Sequence, residues 1–173
     1  MKQQAKVQLL DTYGRPSGEK DREAVNKMID IVHVIHVVLR FGNTVYLSKI
    51  PRNEKLPNIW VGKLGTPIAT MLRMGENPDQ AVGRCLVAET NLNEIHTANF
   101  IHSSFENLDG VKRLLSVFVY DLRQKLKPED LVESDGIRAY TQGALEAELK
   151  ANPDAFAPSF RAIWERAGKA LFS

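Results

Sequence analysis

Apolar and polar positions along this chain predict strands and helices in a mixed order. Ile31 to Leu39, IVHVIHVVL, carries β-branched residues on both alternating faces, the pattern of a central strand covered on both sides. Gly42-Asn43 predicts a tight turn into a hairpin partner, Thr44 to Ile50. A shorter strand is expected over Val7 to Asp11, followed by turn residues in TYGRPSGEKDRE. A loop with Pro51, Asn53 and Pro57 leads to Ile59-Trp60-Val61, read as a third strand ending near Gly65-Thr66-Pro67. Ala98 to Phe105 and Arg113 to Leu122 read as a second hairpin, turning at Asp109-Gly110.

One helix start is well marked. Asn77 caps it, Pro78 takes the first helical position and Gln80 closes a capping box. Val82, Cys85, Leu86 and Glu89 then share a face, and Asn91 offers a left-handed stop. The tail reads as two helices, Gln142 to Leu149 and Phe160 to Leu171. In the second, Phe160, Ile163, Trp164, Ala167 and Leu171 form a stripe that is core packing rather than a ligand box. The order of elements points to an α/β sandwich with a mixed central sheet. A single domain is expected over residues 1–173, with a strand-and-turn extension over 1–28 and C-terminal helices over 142–173.

Composition adds mainly exclusions. With 43% hydrophobic and 25% charged residues, the 173-residue chain is neither disordered nor collagen-like. Its 23 Lys and Arg against 21 Asp and Glu give a net +2, without the basic bias of a nucleic-acid protein. The longest apolar run, Ile29 to Leu39, is too short to span a bilayer and contains Asp30, His33 and His36. No membrane partner is therefore expected. One cysteine, Cys85, cannot form an internal disulfide, and the start MKQQAKVQLLD has no signal-peptide core. A cytoplasmic protein is the expectation.

Glu76, then Arg84, Leu86, Glu89 and Leu92 after a seven-residue spacing, resemble a Nudix box, G-x5-E-x7-R-E-U-x-E-E-x-G-U with U aliphatic. The box is degenerate. Thr70 and Asn91 stand at its two glycines, and Cys85 and Ala88 at two of its glutamates. LPNIW (Leu56 to Trp60), ANPDAFAPSF (Ala151 to Phe160) and VQLLDTYGRPSG (Val7 to Gly18) are similar to segments of the isopentenyl diphosphate isomerase branch of the Nudix superfamily. The resemblance runs over nearly the whole chain and implies a Nudix-type α/β/α sandwich.

Nudix hydrolases cleave diphosphate linkages with water and Mg²⁺ or Mn²⁺, the ions neutralising phosphate charge on clustered carboxylates. Positions 85, 88 and 89 converge on a helix, yet here they are Cys, Ala and Glu. Glu89 is the candidate metal ligand and catalytic carboxylate. Glu76 is a candidate second one, with a salt bridge to Arg84 as its plainer role. The isomerase resemblance places a metal-ligand histidine on His33. It puts Gly65 where the catalytic Cys stands, Thr66-Pro67 where a His follows, Asn26 at an upstream metal His, and Val111 and Arg113 near a Glu-x-Glu pair. An acid and a base on opposite faces of the substrate are therefore missing, so isomerase activity is not expected. His33 and His36 lie three apart on a strand and face opposite sides, which suits core histidines better than one chelate. Cys85 suits packing.

Lys63, Arg84 and Arg113 are the candidate ligand-binding cations, with Arg73 and Lys112 as possible neighbours. Three functions follow from the resemblance. The first is a Nudix-fold module that binds a nucleotide or other diphosphate-containing small molecule with lost or weak hydrolysis. The second is an active diphosphohydrolase with a rearranged Mg²⁺ or Mn²⁺ site drawing on Glu76, Glu89 and acids such as Glu94 or Glu106. The third is an interaction protein with a vestigial cleft.

Overall fold

The computed structural model describes residues 5–52 and 58–173. Its strands are β1 (Lys6–Leu10), β2 (Pro16–Asp21), β3 (Ile31–Phe41), β4 (Thr44–Lys49), β5 (Leu64–Gly65), β6 (Ile68–Met71), β7 (Asn99–Leu108), β8 (Val111–Asp121) and β9 (Ile137–Thr141). Its helices are α1 (Pro78–Glu89), α2 (Gln142–Ala151) and α3 (Pro158–Ala167).

The seam of the sheet is the parallel pairing of β3 with β8, from Val32 beside Arg113 to Arg40 beside Asp121. The other strand pairs are antiparallel, so the sheet is mixed. Alternation on β3 explains its double burial. Val32, Val34 and Val38 face Phe156, Phe160 and Ile163 on one side. Ile35, Val37 and Leu39 face Ala81, Val82, Cys85 and Leu86 of α1 on the other. Helices thus close both faces, and each apolar side chain removed from water contributes about 1.5–3 kcal/mol.

Local chemistry accounts for several boundaries. Asn77 accepts from the Gln80 N–H at 2.9 Å while Gln80 accepts from the Asn77 N–H at 2.9 Å, the expected capping box. Asp109 and Gly110 both have positive φ, 53° and 91°, as a tight β7–β8 turn requires.

Other expectations are corrected. The stretch read as a third strand is a 3-10 turn over Asn58–Trp60, and the strands come later as β5 and β6. Trp60 is buried from that turn, and Gly62 with φ 79° redirects the chain after it. Of the loop before it, Asn53 and Pro57 lie outside the described residues, as does Leu56 of the LPNIW segment. The helix end is not a left-handed Asn91. Thr90 leaves α1 extended, with φ −126°, and pairs with Leu131 as an isolated bridge. Turn residues in TYGRPSGEKDRE run into β2, which pairs with β1, and β1 joins β3 through Leu9 and Leu10. The last helix begins at Pro158 and tightens to 3-10 geometry over Gly168–Phe172.

Candidate functional site

A cleft of about 690 Å³ opens on the β3 face that carries Val32, Val34 and His36. Exposure grades along it. Val32, His36, Trp60, Arg113 and Ser159 are buried and form a closed end. Arg22, Lys49, Val132, Glu133 and Asp135 are exposed and form the mouth. Glu89, the last residue of α1, lines the cleft half-buried between them.

Arg113 is delivered to the closed end by its register opposite Val32. It is 6% exposed. Its guanidinium carbon sits 5.0 Å from the centroid of the Trp60 ring, a cation–π contact that closes one face. No described residue accepts a hydrogen bond from its Nε or Nη2, both of which are buried. Burial pulls its pKa down to about 10, so it stays cationic at neutral pH. His36 is 5% exposed, with Nδ1 2.7 Å from the Thr66 hydroxyl and Nε2 without a partner among the described residues. Burial, and then the nearby Arg113 charge, lower its pKa to about 3, which keeps the ring neutral. Ser159 brings the first turn of α3 to the same end, where the helix dipole adds positive potential.

The other sequence-derived candidates sit differently. Arg84 donates from Nε and Nη2 to the two oxygens of Glu76 at 2.7 and 2.9 Å. It also reaches the Thr70 hydroxyl and the Met71 carbonyl at 3.1 and 3.2 Å. Glu76 further accepts from the Arg73 N–H at 3.0 Å. Burial alone would raise the Glu76 carboxyl, but these donors hold it below the usual range. Neither Glu76 nor Arg84 lines the cleft, and Lys63 does not line it either. His33 lies on the face of β3 away from the cleft, bonds the Ser116 hydroxyl at 2.7 Å and does not join Glu89 in the cleft lining. Glu94 pairs with Arg123 and Glu106 with Arg166, both away from the cleft lining.

Glu89 is the candidate that does reach the cleft. Burial raises its pKa, Arg22 and Arg84 oppose the rise, and Glu133 adds to it. Glu133, Asp135 and His36 are cleft residues that sequence reasoning did not assign. The first two come from an irregular loop that carries no local motif.

The Nudix resemblance implies Mg²⁺ or Mn²⁺ on carboxylates of α1, and the residues present do not suit such an ion. Cys85 is buried, its thiol donates to the Val82 carbonyl, and burial pushes its pKa up to about 12. Ala88 has no donor atom, and among the described residues no three His, Cys, Asp or Glu side chains converge as a ligand set.

No protein-family model matches the sequence, and no curated protein matches it. Solved structures do match. A protein of Deinococcus radiodurans aligns with 94% of this chain and 98% of its own at 17% identity, with a TM-score of 0.69. The Nudix domain of Shewanella oneidensis NrtR, solved with ADP-ribose, covers 88% of this chain and 94% of its own at 14% identity and TM-score 0.57. A Nudix hydrolase from M. smegmatis, RenU, covers 94% of this chain and 92% of its own at 17% identity and TM-score 0.54. At these identities the likeness establishes the fold. The chain has the Nudix fold, an α/β/α sandwich on a mixed sheet. No helix among the described residues is long and apolar enough to cross a membrane.

Proposed function

We propose that this chain is a divergent Nudix-superfamily protein, similar to the isopentenyl diphosphate isomerase branch. It binds a nucleotide or other diphosphate-containing small molecule and hydrolyses it weakly or not at all. A single domain over 1–173, working in the cytoplasm, is part of this reading. The observation that carries it is the charge inventory of the cleft. Of the box-helix positions 85, 88 and 89, only Glu89 brings a carboxylate, and Arg113 faces the same space as a buried cation. A divalent ion is repelled by a fixed guanidinium across a poorly screening cleft, whereas a phosphate is attracted to it. The ADP-ribose complex of the Shewanella domain supports a phosphate-bearing ligand for a cleft of this fold.

A thermal-shift and calorimetric screen of nucleoside diphosphates, ADP-ribose and prenyl diphosphates tests the reading, with EDTA and with Mg²⁺. Binding without turnover is the expected outcome. Failure of every probe to bind under either condition favours a vestigial cleft. A second reading, hydrolysis, is favoured by Glu89 itself, a carboxyl raised by burial in the cleft, with Glu133 and Asp135 on the same lining. Product release from the same probes with Mg²⁺ or Mn²⁺, lost in Glu89→Gln, would establish it.

A further inference from the structure

Three arginines in this chain present the side of the guanidinium on which the Nε and Nη2 hydrogens point the same way. That edge matches two oxygens of one anion. Arg84 fills it with Glu76, at 2.7 and 2.9 Å. Arg40 fills it with Asp121, at 2.6 and 3.0 Å. Arg113 holds the same two nitrogens buried, and among the described residues nothing accepts from them. A buried donor without an acceptor lowers stability, and a buried cation without a counter-charge lowers it further. An acceptor from beyond the described residues would remove both costs.

We infer that the closed end of the cleft takes a terminal oxyanion, a phosphate monoester or carboxylate with two free oxygens, on the Nε and Nη2 fork of Arg113 without a metal ion. This rests on the small-molecule reading of the cleft proposed above and adds the ligand's orientation. The Trp60 ring covers one face of the guanidinium, and its two edge nitrogens are buried, so an oxyanion reaches them once the side chains of the closed end part. When Nδ1 of His36 accepts from the Thr66 hydroxyl, Nε2 carries the hydrogen and becomes a further donor at the same end. The first turn of α3, with Ser159 in the lining, favours negative charge there.

Burial decides between end-on and bridging anions. Val32, His36, Trp60 and Arg113 are all buried, and among the described residues they close the cleft at this end. A diphosphate esterified at both ends would have to bury one of its organic groups past Arg113. A diphosphate esterified at one end places its free phosphate on the fork and its organic group toward Ile50 and Val132 nearer the mouth.

Calorimetry on the full chain in EDTA tests this with ADP, inorganic pyrophosphate, succinate and ADP-ribose. The expected result is that ADP and pyrophosphate bind at least tenfold more tightly than ADP-ribose. Arg113→Lys, which keeps the charge and loses the fork, should weaken ADP at least tenfold and leave ADP-ribose within twofold. Arg113→Met reads the same loss if the lysine variant does not fold. Succinate binding that depends on Arg113, with no response to the phosphates, supports the same fork and identifies a carboxylate ligand. If ADP-ribose binds as tightly as ADP, the terminal-anion inference is overturned while the small-molecule cleft stands. Binding that requires added Mg²⁺ also overturns the inference and favours the hydrolase. If no probe binds with or without Mg²⁺, both the inference and the binding function fall.

Discussion

Arg84 and Arg113 carry the same fork into neighbouring parts of the molecule, and the described residues complete one and not the other. Around Arg84, Glu76, Thr70 and the Met71 carbonyl supply acceptors, and Glu76 also takes the Arg73 N–H. That cluster ties the loop before α1 to the end of β6 and holds the helix at a fixed angle to the sheet. Around Arg113, the more deeply buried of the two, the described neighbours include an indole and a neutral imidazole, and among the described residues none accepts from its Nε or Nη2. The first arrangement belongs to the scaffold. The second lowers the stability of the free protein, and a bound anion would restore it. Unsatisfied polar groups in a folded protein concentrate where binding takes place.

The contrast is broken most directly at the completed fork. Glu76→Ala leaves Arg84 without its carboxylate and should destabilise the protein by about 3 kcal/mol in urea unfolding. The lower end of the range applies because the two side chains keep 12% and 23% exposure. The pH dependence has a defined sign. The folded-state pKa of Glu76 lies below its ordinary 4.5, so its contribution is whole above that value and is lost as pH falls through the depressed one. Once pH has fallen below that depressed value, the wild type and Glu76→Ala should therefore converge.

Arg113→Met should do the opposite. Removing an uncompensated buried cation stabilises the ligand-free chain by about 1–3 kcal/mol, read as a rise in Tm while anion binding is lost. A fall in Tm would mean that Arg113 has an acceptor. Glu89→Gln should raise Tm at pH 7 by about 1–2 °C. Its folded-state pKa is raised, so the charged form costs stability at neutral pH, and that cost disappears as pH falls through the raised value. The difference should close near pH 4. The smallest expected effect is none at all. With a pKa of about 3, His36 should show flat imidazole nitrogen shifts from pH 5 to pH 8 in NMR.

Much of the fold was legible because it is written in local signals. The β-branched run of β3, the Gly42-Asn43 turn and the Asn77–Gln80 capping box each act within a few residues. β2 and β9 escaped because burial does not pattern them. All six residues of β2 are exposed, and in β9 only Tyr140 is fully buried, so partner strands hold them in place. Trp60 was read as part of a strand because an isolated apolar triplet does not reveal that a turn can bury a ring. At the site, Glu76 and Arg84 could be matched by spacing along one loop and helix. The isolation of Arg113 could not be read that way. It depends on the parallel register of β8 against β3 and on Trp60 and His36 arriving from elsewhere.

The parallel seam also sets an order of events during synthesis. Val34 lies beside Leu115, 81 residues later, while β1, β4 and β6, all synthesised before β8, leave that edge of β3 to β8. A ribosome adding roughly 5–20 residues per second leaves most of β3 without that partner for roughly 4–16 seconds. During that interval an eleven-residue apolar strand is a template for pairing with other chains. Arg40 beyond its apolar run, and the imidazoles of His33 and His36 within it, interrupt the hydrophobic surface and act as gatekeepers. Non-local parallel pairing is slow to form. The closed end around Arg113 is therefore among the last parts of the nascent protein to take shape.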